Sequence, residues 1–207
     1  MAVEKQNNQE NLIGASCNEA IKEIIRLNPQ ISKLRFRTYY YVPLAIKEVK
    51  EPVCFFLATK EFKDGEKLQE RIKNLQEGWD IGITSRVILK DGLEAHIPMI
   101  DFKLSKNQEN LQRIKKALKE TLNEKEGYIL ETEVSYHYYG ANLLKGDKDW
   151  RDFMAKCLLT SIVHSREDIE EVVDSRYIGH KLLEGESCLR LSNNTTHKFI
   201  PKIVDIL

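Results

Sequence analysis

At 207 residues the chain has room for one domain, or two small ones, with a core that needs neither disulfide nor metal staples. Hydrophobic residues at 42 % and charged residues at 31 % exclude the disordered, collagen-like and mucin-like classes. Thirty-two Lys and Arg balance thirty-two Asp and Glu, so no global positive field holds nucleic acid indiscriminately and any such site must be local.

Periodicity sets the organisation. Residues 16–27 place Cys17, Ala20, Ile21, Ile24, Ile25 and Leu27 at helical spacing, with Ser16 as N-cap and Asn28-Pro29 as the stop. Leu34 to Val42 and Val53 to Ala58 read as strands. Asp64 to Gln76 reads as one amphipathic helix closed by Gly78. Trp79 to Leu89 and Ala95 to Leu104 read as an antiparallel pair around Asp91-Gly92. A helix over 107–122 turns Leu111, Ile114, Ala117, Leu118 and Leu122 inward, and Tyr128 to Tyr139 is strand-rich. Trp150 to Ser161 predicts a helix burying Phe153, Met154, Cys157 and Leu158. A further helix runs through Leu183, followed by strands at Cys188 to Leu191 and Ile200 to Ile206. The irregular alternation with hairpins predicts an α+β chain. The expected organisation is a flexible N-terminus over 1–15, an αβ module over 16–92 and a second unit over 93–207, together one compact body.

Cys17, Cys54, Cys157 and Cys188 stand far apart without a C-x-x-C pair, which argues against a zinc site or a disulfide framework. The opening residues MAVEKQNNQE hold no apolar leader, and no window approaches the roughly 20 apolar residues of a membrane span. The expected location is the cytoplasm, with no membrane partner. Glycine-rich phosphate loops, the G-x-S-x-G elbow and the H-E-x-x-H pair are all missing from the sequence.

Three polar islands remain inside apolar strands. Ile97-Pro98-Met99-Ile100-Asp101-Phe102-Lys103 ends an apolar run in an acid. Ser135-Tyr136-His137-Tyr138 sets a histidine among aromatics, and Val172-Val173-Asp174-Ser175-Arg176 again closes an apolar run with an acid. Leu189-Arg190-Leu191-Ser192-Asn193-Asn194 and His197-Lys198 follow. A buried acid needs a strand end, a partner or a metal.

This order resembles the archaeo-eukaryotic primase superfamily, the primase–polymerases, over residues 95–204, and the phrases HIPMIDF, YHYYG, WRDFMAKCLL, VDSRYIGHKLLEG and LRLSNNTTHK resemble its primase 1D-like proteins. The resemblance implies a core related to the RNA-recognition-motif fold that binds nucleoside triphosphate and Mg²⁺ or Mn²⁺, for two-metal in-line nucleotidyl transfer on DNA or RNA. Carried onto this chain, it implies Asp101 and Asp174 as metal ligands and Asp101, His137 and Asp174 as the catalytic set. Ser135, His137, Arg176, Arg190 and Lys198 would then meet the triphosphate.

The departure is Lys103, which stands where the superfamily's D-x-D has its second acid. Residues two apart in a strand share a face about 6 to 7 Å apart, so an ammonium there removes an oxygen ligand and reverses a charge. Lys103 would pair with Asp101 or a phosphate, or Glu94 or Glu133 would supply the lost acid. The alternative function is a catalytically inactive primase-fold module for RNA, single-stranded DNA or a protein partner.

Plainer roles stand beside these. Asp101 serves equally as a strand-end acid, His137 as a half-buried sheet histidine and Asp174 or Ser175 as a helix cap. Tyr39, Tyr40 and Tyr41 beside Lys33, Arg35 and Arg37 read either as a single-strand surface or as an amphipathic strand. Arg113, Lys115, Lys116 and Lys119 read as a solvated helix face.

Overall fold

The computed structural model describes residues 11–40, 42, 50–165, 168–195 and 197–207. The first ten residues of the expected flexible N-terminus, together with Tyr41 and Thr196, lie outside them.

Helix α1 (Cys17–Leu27) buries Cys17, Ala20, Ile21, Ile24 and Ile25 along the face the spacing predicts. It stops at Asn28, whose Nδ2 donates to Ile24 O at 2.9 Å and to Ala141 O at 2.8 Å. Strands β1 (Ile31–Tyr40) and β2 (Cys54–Ala58) follow and pair antiparallel. A short helix α2 (Thr59–Asp64) precedes the helix expected over 64–76, which is shorter, α3 (Glu66–Lys73), and leaves helical geometry at Asn74, well before Gly78. The break is Gly65, whose φ of +82° an α-helix cannot continue through. The extra turn is capped by the Glu61 carboxylate, which accepts from Ala58 N.

Strand β3 (Trp79–Leu89) spans its expected range and turns at Gly92 into β4 (Glu94–His96). The strand predicted over 95–104 does not stay in this sheet. Pro98 has no N–H for a ladder, and past it β5 (Met99–Asp101) joins a second sheet. Next come α4 (Gln108–Lys116), capped by Asn107 Oδ1 at 2.7 Å from Asn110 N, a π-helical turn over Ala117–Thr121, and the hairpin β6 (Gly127–Glu131) and β7 (Tyr136–Gly140). Helix α5 (Gly146–Leu158) starts one turn before Trp150 because Asp147 and Asp149 complement the first-turn N–H groups, and it ends before Ser161. The small pair β8 (Ile162–Val163) and β9 (Ile169–Glu170), helix α6 (Ser175–Glu184), β10 (Cys188–Arg190) and β11 (Lys202–Ile206) complete the chain.

Among the described residues the strands make two larger antiparallel sheets, β10-β3-β1-β2 with β4 also on β3, and β11-β6-β7-β5, beside the two-stranded β8-β9. Helices and antiparallel sheets make the chain α+β, as the pattern predicts. Two strands from beyond residue 92, β4 and β10, complete the first sheet, and β10 also runs beside β5 of the second. One continuous apolar core joins Ile24, Leu34, Phe36 and Ile83 to Met99, Tyr138, Trp150 and Ile178. A buried polar chain fixes α5 to the first sheet: His96 stacks on Trp150 at 5.3 Å, with Nδ1 2.9 Å from Ser85 Oγ and Nε2 3.3 Å from Asp147 Oδ1. Because Ser85 is fully buried and its Oγ also accepts from Ser187 N, this Asp-His-Ser arrangement is a structural tie.

Candidate functional site

The site forms where β5, β7, α6 and β10 meet. Asp101 stands opposite His137 in the β5–β7 register, and their Oδ1 and Nε2 are 3.6 Å apart. Asp174 arrives from the far side through the bridge between Phe102 and Val173, its N–H donating to Asp101 O at 3.3 Å. Its carboxylate caps α6, with Oδ1 accepting from Arg176 N at 2.9 Å and Tyr177 N at 3.4 Å. Cap and site member are therefore compatible roles for Asp174.

Burial, reinforced by the neighbouring Asp174 charge, pushes the Asp101 carboxyl up to about 7, against the pull of Lys181 and Arg190. Burial, with Arg190 and His197 adding repulsion, pushes His137 down to about 3, so its imidazole is neutral. Its Nδ1 is buried without a hydrogen-bond partner, and so is the Tyr139 hydroxyl two residues along the same face of β7. Orphaned buried polar atoms are uncommon because each forfeits its hydration, so this pair marks where a ligand's polar groups would fit.

Arg190 lies against this face, buried, with Nη1 donating to Ser192 O at 2.6 Å and Phe199 O at 3.0 Å. That loop hangs from Asp80. The fully buried carboxylate accepts from Ser192 Oγ at 2.5 Å, Asn194 N at 2.9 Å and Thr195 Oγ1 at 2.6 Å. Sequence reasoning passed over Asp80, although an acid inside Trp79-Asp80-Ile81-Gly82-Ile83 is the same kind of signal as Asp101. Gly82 permits the approach of β10, since a Cβ there would lie 2.4 Å from Cys188 Sγ and 3.0 Å from Leu189 O.

Other expected residues stand further out. Ser135 is buried with Oγ 3.2 Å from Thr132 Oγ1, Arg176 is exposed at the start of α6, and Lys198 is exposed with its N–H donating to Glu133 Oε1 at 2.8 Å. Lys103 does not pair with Asp101: its ammonium turns to Glu171, Nζ to Oε2 2.6 Å. Neither substitute acid completes the pair, because Glu94 binds Arg86 and Glu133 is taken by Lys198 N and His197. On the basic strand face, Arg35 pairs with Glu186 at 2.8 Å and Arg37 with Glu184 at 2.5 Å, while Lys33 is exposed and Tyr41 lies outside the described residues. On α4, Arg113 and Lys115 hold Glu109, Glu170 and Asp205.

Asp101 and Asp174 thus offer two hard oxygen donors, and among the described residues no cluster of three His, Cys, Asp or Glu forms a ready metal cage. Mg²⁺ is commonly held by one or two carboxylates, with waters and substrate phosphates filling its shell. Asp101 and Asp174 would supply oxygen donors to one such ion and would leave a second without an oxygen of its own. Lys103→Asp restores that oxygen, and calorimetric titration with Mn²⁺ should show affinity rising about tenfold. An unchanged affinity would mean that position 103 does not face the site.

Among the described residues no helix is long and apolar enough to cross a membrane. A family model described as AEP-like: Archaeo-eukaryotic primase 1D-like matches residues 59–202. No curated protein matches the chain.

Proposed function

Starting from a chain that belongs to the archaeo-eukaryotic primase 1D-like family, we propose that the Asp101–His137–Asp174 centre binds a nucleoside triphosphate with one divalent cation, Mg²⁺ or Mn²⁺, and serves single-stranded DNA or RNA. The observation that carries this reading is the convergence of an acid from β5, a histidine from β7 and an acid from the start of α6, three distant segments, beside a buried arginine. Asp101 and Asp174 would hold the cation, which when bound supplies charge neutralisation at the transferring phosphoryl group. The neutral His137 and the Tyr139 hydroxyl each have a buried polar atom free for a phosphate or ribose oxygen. Arg190, fixed by two backbone carbonyls, adds positive charge that needs no reorganisation on binding.

The missing second acid favours weak nucleotidyl transfer, and with it the second reading, a primase-fold module that binds nucleotide or nucleic acid without turnover or meets a protein partner. Calorimetry with ATP, with and without Mn²⁺, tests the centre. Wild type should bind ATP more tightly with Mn²⁺, and Asp101→Ala and His137→Ala should each lose most of that gain, on the order of tenfold or more. No binding of ATP under either condition would sink the nucleotide reading.

A further inference from the structure

The tyrosines that close β1 lie outside the centre. Tyr40 stands opposite Trp79 in the β1–β3 register, and their rings meet edge to face at 5.8 Å, both half-buried. The exposed Lys50 sets its ammonium 4.0 Å from the Tyr40 ring centre and 5.7 Å from that of Trp79, and it pairs with no carboxylate among the described residues. The Trp79 Nε1 proton is buried without an acceptor. This shelf therefore offers ring faces, an N–H donor and a cation. The matching ligand has a flat unsaturated ring, acceptor atoms and a negative charge, which describes an unpaired nucleobase with its phosphate.

A second pair of the same kind stands across the 192–199 loop. Lys106 Nζ lies 5.4 Å from the Phe199 ring centre and 3.5 Å from Glu131 Oε2. Hydrogen bonds tie both pairs to the centre. Asn194 Nδ2 donates to Trp79 O at 3.1 Å, Asp80 beside Trp79 accepts from Ser192 Oγ, and Arg190 Nη1 spans the loop from Ser192 O to Phe199 O. The shelf thus lies on one side of the Arg190 anchor and Phe199 on the other.

We propose that Tyr40, Trp79 and Lys50 form a base-stacking platform that leads a single strand of nucleic acid past Arg190 to Phe199 and Lys106. The inference rests on the reading of the Asp101–His137–Asp174 centre and deepens it by naming the surface that receives its strand. An exposed cation–ring contact is weak, so on binding Lys50 cedes the Tyr40 face to a base and meets the adjoining phosphate. Ring faces accept any base, and the groups of the platform do not read the sugar, so DNA and RNA strands bind alike. A duplex, whose bases stack on one another, does not.

The chain has two tryptophans, and Trp150 is only 1 % exposed, so quenching of tryptophan emission by an added strand reads Trp79. Oligo(dT) and oligo(U) of about 12 nucleotides, titrated without metal, should both quench wild type and bind within about threefold of each other. Tyr40→Ala should weaken both about tenfold. Lys50→Gln, at an exposed position, should weaken them about threefold and lower the slope of log affinity against log salt by about 0.7. If Tyr40→Ala fails to fold, Lys50→Gln decides alone. Absence of quenching in wild type, or wild-type affinity in the folded variants, overturns the platform. So does equal affinity for a duplex of the same length, and so does a more than tenfold preference for either sugar. Quenching by tetramethylammonium as strong as by the oligonucleotides would overturn it too, and would assign the shelf to a cationic partner. The centre is judged by a different quantity, the Mn²⁺ enhancement of ATP binding, which Lys50→Gln should leave unchanged, so either reading can fail alone.

Discussion

In Asp101→Asn, Mn²⁺ should no longer strengthen ATP binding, yet the ligand-free variant should melt higher than wild type above pH 7. Both effects have one cause. The native carboxyl is raised to about 7 by burial and by Asp174, whereas an unfolded aspartate titrates near 4. Between these values the native state holds a proton that the unfolded state has released. The stabilisation is therefore fully present below about pH 4 and is lost as pH rises through about 7. Asparagine carries no such dependence, so its advantage over wild type should grow from about pH 4 to 7 and then level off.

His137 has the opposite slope. Its native value of about 3 lies below an unfolded histidine near 6.5, so its contribution is present above about 6.5 and is lost as pH falls toward 3. The two slopes oppose each other in wild type, and Asp101→Asn should uncover the histidine's as stability that rises between about pH 4 and 6.5. A divalent cation competes with the Asp101 proton, so wild-type Mn²⁺ affinity should rise about tenfold per pH unit up to 7 and flatten above it. Thermal melts and Mn²⁺ titrations from pH 4 to 9 decide the matter. A variant whose melting and metal profiles both track wild type would remove Asp101 from the centre.

The second large effect is expected at Asp80, which touches none of the three motif residues through the hydrogen bonds it makes. Asp80→Ala leaves two hydroxyls and one backbone N–H without their shared acceptor, and one of the three, the Ser192 hydroxyl, is fully buried. Charge-assisted bonds of this kind make the loss about 3 to 5 kcal/mol, or a melting point lower by about 10 °C for a chain of this size. The loop over 192–195 would loosen and take with it the Ser192 carbonyl that orients Arg190. ATP affinity should therefore fall in Asp80→Ala even at temperatures where the variant remains folded. Asp80→Asn keeps one acceptor oxygen and should lose less. Melting within about 3 °C of wild type in the alanine variant would show that the loop does not depend on this acid.

Asp101, His137 and Asp174 were legible in the sequence because each interrupts an apolar run, where a polar side chain requires a reason. Asp80 interrupts a run in the same way but lies outside the motif order, so only its three bonds to residues more than a hundred positions away reveal its part. The D-x-D resemblance and strand spacing offer Lys103 as a partner of Asp101 or of a phosphate, whereas the chain past Asp101 bridges to Val173 and delivers the ammonium to Glu171. Arg35 and Arg37 carried the composition of a nucleic-acid surface, and their carboxylate partners at the end of α6 were invisible at a separation of about 150 residues.

What the sequence determined by itself was the set of strongly periodic elements, α1, β3 and α4 among them, and the order of the three polar islands. Those depend on neighbours within a turn or a strand, where side-chain direction follows directly from residue spacing. Only the tertiary structure decided that Pro98 hands the apolar run from one sheet to the other, and that β10 sets Arg190 beside Asp101. It also decided that the Asp101 carboxyl is raised by its surroundings and by Asp174, since such shifts depend on burial and on charges from distant segments that local spacing does not encode.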